Sequence, residues 1–117
     1  NVDEKTARQR AAEEIMQEVK VLETAPVIVV ALSGEIAAEN ADEFYAEIRS
    51  LYEAHPADIT FECSALTFID STTLGTFVKI LKHVRSDGYE LRIRGLQPRL
   101  KKLFVICALD TIMEIEG

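Results

Sequence analysis

The stretch VIVVAL, Val27 to Leu32, is six apolar residues without a break, closed two positions later by Gly34. A short, β-branched run of this kind reads as a central strand buried on both faces, so the rest of the chain must supply neighbouring strands and a helical cover. The flanking segments fit that demand. Upstream, EVKVLE alternates apolar and charged residues like a half-exposed strand, and TAP turns it into a hairpin with the central run. Downstream, AENADEFYAEIRSLYEA puts Phe44, Ile48, Leu51 and Tyr52 on one helical face. Asn40 stands at the cap position of that helix, Glu43 completes a capping-box pair, and His55-Pro56 ends it.

The pattern then repeats. ADITFEC predicts a strand with Ile59, Phe61 and Cys63 on one side. After SALTFID comes a helix with Leu74, Phe77, Val78, Leu81 and Val84 inward, stopped at Asp87-Gly88 by a left-handed cap. YELRIRG is a strand. PRLKKLFVICAL is a helix with Pro98 in its first turn and Leu100, Leu103, Phe104 and Cys107 inward, and TIMEI closes as a short strand. The order ββαβαβαβ over residues 17–117 defines one α/β domain, a mixed sheet with helices packed on it. Residues 1–16, NVDEKTARQRAAEEIM, are polar helix formers with a thin apolar stripe through Ala11 and Ile15. They read as a helical N-terminal extension or linker.

With 117 residues, 48% of them hydrophobic, the chain can bury a single core. Its longest apolar run is far too short for a membrane span, and no signal-peptide pattern opens it, which predicts a cytoplasmic protein. The formal charge is −7 and uneven: residues 1–60 carry 13 acidic and 5 basic side chains, residues 61–117 carry 7 and 8. That balance disfavours nucleic acid as a direct partner. Arg92, Arg94, Arg99, Lys101 and Lys102 form a local basic group, read first as a solvated face and second as a contact for an acidic partner. Cys63 and Cys107 both lie in apolar segments and predict two buried thiols rather than a disulfide or a metal pair.

The chemistry concentrates at FIDSTTLG, Phe68 to Gly75, where a strand gives way to a helix and three hydroxyl residues follow an aspartate. In open α/β sheets this carboxyl edge is where ligands and partners are met. Ser71 is placed to be the N-cap of the helix. Capping accounts for one hydroxyl but not for Thr72 and Thr73, which are poorer helix formers than Ala or Glu. Phosphorylation of Ser71 is the functional alternative: the phosphate adds about 1.5 to 2 negative charges at the positive end of a helix dipole, so the fold tolerates it while the surface changes sign. A receiver-type phosphoacceptor at Asp70 needs an acidic pair for magnesium, and LSGEI offers only Glu35. Serine hydrolysis needs a base, yet His83 is roughly 18 Å along the helix from Ser71 and His55 ends another element. Scattered glycines and the lack of zinc spacing predict no cofactor and no metal.

These features together resemble the STAS domain of anti-sigma factor antagonists. The resemblance covers Glu18 to Ile115 and is carried by the hairpin, LSGEI, and ITFECSALTFIDSTTLG, whose LTFIDSTTLG is similar to the family signature of a hydrophobic run, Asp-Ser, a small hydroxyl residue and Gly-Leu-Gly. Thr73 stands where the family usually has Gly. The resemblance implies a non-enzymatic bacterial switch whose Ser71 is phosphorylated by an anti-sigma factor that is also a serine kinase, with Thr72 and Thr73 as alternative acceptors. The partner-binding set expected from it is Glu35, Asp70, Ser71, Thr72, Thr73, Thr76, Lys79 and His83, with no membrane insertion and at most weak self-association. A different class is a STAS module of a larger assembly, such as an anion transporter, a lipid-transport accessory or a stress-sensing scaffold, without phosphorylation. Nucleotide binding at the same edge is a third.

Overall fold

The computed structural model describes residues 17–116. The elements are β1 (Val19–Glu23), β2 (Ile28–Ile36), α1 (Ala41–Ala54), β3 (Ile59–Ile69), α2 (Ser71–Arg85), β4 (Leu91–Arg94), α3 (Pro98–Ile106), a 3₁₀ turn (Leu109–Thr111) and β5 (Glu114–Glu116). This is the expected ββαβαβαβ order. The strands lie in one sheet in sequence order, β1 antiparallel to β2 and the remaining pairs parallel. Every parallel crossover steps the same way across the sheet. Right-handed connections therefore deliver all three helices to one face and leave the other open.

Burial follows that division. Ile59, Phe61 and Cys63 of β3 and Leu91 and Ile93 of β4 are buried against the helices, while the intervening Glu62, Arg92 and Arg94 retain contact with water. Phe77 of α2 is the centre of the core. Its ring lies 5.5 Å from Phe44 of α1, 5.3 Å from Phe61 of β3 and 5.5 Å from Phe104 of α3, tilted or edge-on in each case. Three helices and the sheet thus meet on one side chain. On the open face, Arg94 bonds Glu62 at 2.9 Å, and Arg92 pairs with Glu114 and, at 3.4 Å, with Asp58. Glu62 and Arg94 are directly opposite in register, as are Arg92 and Glu114. Such exposed pairs contribute up to about 1 kcal/mol each, so they favour register more than stability.

Several expectations are corrected. The strand begun at Ile59 does not stop near Cys63 but runs on to Ile69, because β2 also continues past Gly34, at φ 68°, through two register shifts. Gly34, expected to close the central strand, and Glu35 therefore both lie within a bulged strand. Asn40 makes no side-chain cap to α1. Its amide instead accepts from Ala37 N at 2.8 Å and donates to the Glu35 carbonyl and to Glu18, bracing the β2–α1 connection. Cys63 is buried, but Cys107 follows the end of α3 and is exposed, so only one of the two thiols is interior. Burial of Cys63 pushes its thiol up to about 12. The basic group is divided: Arg92 and Arg94 lie in ion pairs on the open face, whereas Arg99 belongs to α3. The helical extension expected over residues 1–16 lies outside the described residues.

Phe77→Ala should remove about 3–5 kcal/mol of unfolding free energy in urea titration. Arg94→Ala, which breaks only an open-face pair, should stay within about 1 kcal/mol of wild type in the same assay.

Candidate functional site

Asp70 caps α2. Its backbone is extended (φ −121°, ψ −175°), and its Oδ1 accepts from Thr73 N at 3.0 Å, the third helical position. The expectation that Ser71 is the cap is therefore corrected by one residue: Ser71 is the first residue of the helix proper, and it is exposed. The second carboxylate oxygen of Asp70 accepts from Ala38 N at 2.9 Å, across the gap to the β2–α1 connection. One side chain thus ties the end of β3, the start of α2 and the loop leaving β2. The donors hold the Asp70 carboxyl below its ordinary range, with Thr73 N–H the largest cause; the Ala38 N–H and the Thr73 hydroxyl add to it, and partial burial opposes them.

The three hydroxyls have different fates. Thr73 is completely buried; its Oγ1 lies against the Ile36 carbonyl and 3.0 Å from Asp70 Oδ1, and with one proton it donates to one of these at a time. Thr73, expected as an alternative acceptor and partner contact, is thus interior in this fold rather than at its surface. Thr72 is exposed, like Ser71. Thr76, expected on the outer face, is also buried, and its hydroxyl donates to the Thr72 carbonyl at 3.0 Å. It supports the first turn from within.

The remaining expected contacts separate into two places. Glu35 is exposed and pairs in register with Phe68, at the same sheet edge as Ser71. Lys79 and His83 lie further along α2 and lean towards α1. Lys79 Nζ stands 4.2 Å from the centre of the Tyr45 ring, and the partly buried His83 packs edge-on to Tyr52 at 5.4 Å. They belong to the α1–α2 contact and are not gathered around Ser71. What sequence reasoning passed over is Phe68, 45% exposed on β3; Arg99, noted only as part of the basic group, donates from its guanidinium to the Thr67 carbonyl beside it. The signal was available for Phe68, an aromatic residue inside the motif.

A shallow depression of about 560 Å³ beside Glu35 is lined by Gln17, Glu18, Ser33, Gly34, Glu35, Glu39 and Asn40. Three carboxylates around it repel a nucleotide's phosphates, so the edge is better suited to a protein than to ATP or GTP. Among the described residues no group of three or more His, Cys, Asp or Glu is arranged to hold a metal ion. None of the described helices is long and apolar enough to cross a membrane.

A sequential sheet covered on one face by three helices, with an exposed serine opening the second of them, defines the class: a single mixed α/β domain. The chain belongs to the STAS domain family, whose profile matches residues 18–117. It is 33% identical over 90 residues to the anti-sigma-B factor antagonist of Bacillus subtilis, covering 77% of this chain and 82% of that one. The antagonist of the same name from Listeria monocytogenes is 31% identical over 90 residues, 77% and 79% of the two chains. Among solved structures, the fold is similar to a candidate anti-sigma factor antagonist from Thermotoga maritima (TM-score 0.77, 22% identity, 90% of each chain). It is also similar to the Bacillus cell-fate determinant SpoIIAA in its phosphorylated form (TM-score 0.64, 17% identity, 85% of this chain and 89% of that one).

Asp70→Ala should cost about 0.5–2 kcal/mol through loss of the cap. Because the folded carboxyl titrates below its unfolded value of about 3.9, its contribution is present above about pH 4 and disappears as pH falls through the folded value. Comparing melting temperatures at pH 7 and pH 3, the variant should lose less stability on acidification than the wild type. The loss that persists in the variant includes Glu62, whose carboxyl is held low chiefly by the Ser64 hydroxyl.

Proposed function

We propose that this domain is an anti-sigma factor antagonist: a non-enzymatic cytoplasmic switch that docks on an anti-sigma factor and is released when that partner, acting as a serine kinase, phosphorylates Ser71. The observation that carries the reading is the sorting of the hydroxyls. Ser71 is exposed at the first position of α2, while Thr73 and Thr76 are buried and bonded to backbone carbonyls. The names of the bacterial relatives support the antagonist role, and a phosphorylated form of SpoIIAA has been solved on the same fold.

The physics of release is local. Transfer of the γ-phosphoryl group from ATP would form an O–P bond at Ser71 Oγ, with ADP leaving and the hydroxyl proton passing to the kinase. The first turn of α2 carries the positive end of a helix dipole, so the new dianion costs the helix little. The docking surface bears a different cost, since the dianion would sit beside Asp70, on the edge that also carries Glu35. A partner surface complementary to the unmodified edge would then meet two added charges and their hydration. Docking uses Glu35, Asp70, Ser71 and Thr72 together with the surface around them, and it excludes Thr73 and Thr76, which are interior. Lys79 and His83 contribute where the partner extends along α2.

Ser71→Ala should bind the anti-sigma factor and resist release by ATP, whereas Ser71→Asp should bind at least about ten-fold more weakly; titration calorimetry reads both. Equal affinities for the two variants would remove the switch. Peptide mapping after incubation with kinase and ATP should find the phosphate on Ser71, and recovery of it on Thr72 alone would reassign the acceptor.

A further inference from the structure

Of the five phenylalanines, Phe44, Phe61, Phe77 and Phe104 are completely buried and stack on one another, but Phe68 is 45% exposed. It lies three residues ahead of Ser71, on a strand rather than a loop. Its surroundings hold it in place. Its Cα pairs with Glu35 on β2, the adjacent Thr67 hydroxyl donates to the Gly34 carbonyl at 3.0 Å, and Arg99 at the start of α3 donates to the Thr67 carbonyl. The ring therefore sits on a fixed backbone with an acidic side chain, Glu35, on the β2 side and a basic one, Arg99, on the α3 side.

A rigid, half-exposed aromatic with charged neighbours has the character of an interface hot spot: a large apolar area, few rotatable bonds to freeze, and polar groups able to form a rim. The other large exposed apolar residues lack this setting. Val21 and Leu22 lie on the edge strand beside Lys20, whose charge discourages strand pairing. Val105 and Ile106 are at the last turn of α3, roughly 10 Å along the helix from Arg99, and Ile112 follows the 3₁₀ turn, where its carbonyl accepts from Arg85.

We propose that Phe68 is the apolar anchor of the docking edge, entering an apolar pocket on the partner protein that presents a cationic group to Glu35 and a carboxylate to Arg99. This rests on the reading of the Ser71 edge as a docking surface and adds to it the residue that supplies affinity. Affinity then comes from Phe68 and control from Ser71. Phosphorylation does not touch the anchor; it places a hydrated dianion on the rim and prevents the ring from being desolvated.

The test uses the anti-sigma factors encoded in the same genome, purified individually and titrated against the unphosphorylated chain. Phe68→Ala should weaken binding about ten-fold or more with an unchanged melting temperature, Phe68→Leu should recover most of it, and Ile106→Ala should bind like wild type. If Phe68→Ala is destabilised, Phe68→Thr, suited to a strand, should show the same loss. Wild-type affinity in a folded Phe68 variant overturns the anchor, and if Ser71→Asp still binds weakly the switch survives that result. Loss of affinity in Ile106→Ala alone would move the interface to the far end of α3 and also overturn it. A Phe68 variant that loses only self-association in sedimentation, keeping the partner, would assign the ring to a second copy of this chain and overturn it as well. Failure of the wild type to bind any of these anti-sigma factors would take down both readings.

Discussion

The carboxylate of Asp70 accepts hydrogen bonds from Thr73 N and Ala38 N, which belong to elements far apart in sequence. The arrangement decides the geometry of the whole sheet edge. Without the bond to Thr73 the first turn of α2 has no side-chain cap, and without the bond to Ala38 the connection leaving β2 loses its tie to Asp70. Ser71 lies between these two restraints. Its hydroxyl is displayed in a fixed place because the residue before it, rather than its own side chain, satisfies the helix terminus. A serine that capped its own helix would have to give up that hydrogen bond to accept a phosphate; here the two tasks are divided between neighbouring residues.

Behind the edge, the scaffold is stiff for reasons unrelated to function. Phe77 contacts a phenylalanine from α1, one from β3 and one from α3, so movement of α2 disturbs all three at once. Closely packed cores respond to a surface charge by holding their positions, so the modification proposed at Ser71 would change the surface rather than the fold. The open sheet face adds no such rigidity; its cross-strand pairs are exposed and individually weak.

Much of this was readable from residue patterns. The element order, the inward positions Phe44, Ile48, Phe61, Phe77 and Leu81, and the strand-to-helix turn within FIDSTTLG all follow from periodicity and turn chemistry. What escaped was set by tertiary hydrogen bonds and by register. Ser71 and Asp70 are both good caps by type, and only the extended backbone at Asp70 decides between them. Asn40 has the residue type of a cap, but competing donors and acceptors in its own loop claim its amide. Thr76 and Thr73 fall on helix positions whose burial depends on how closely α2 approaches the end of β2. Cys107 lies just past the last turn of α3, where the apolar stripe no longer faces the core.

Thr73 shows how a departure from the family pattern fits the edge. A glycine there leaves the helix start smooth but contributes no side chain. Threonine brings a methyl group into the interior and a hydroxyl that must find an acceptor, since an unpaired buried hydroxyl costs about 1–3 kcal/mol. The Ile36 carbonyl, at the last residue of β2, supplies it. The extra bulk is accommodated by joining α2 to β2 at the level where Asp70 joins it to Ala38. The same bond keeps the Thr73 hydroxyl in the interior. A junction with three hydroxyls in sequence therefore offers only two, those of Ser71 and Thr72, at its surface.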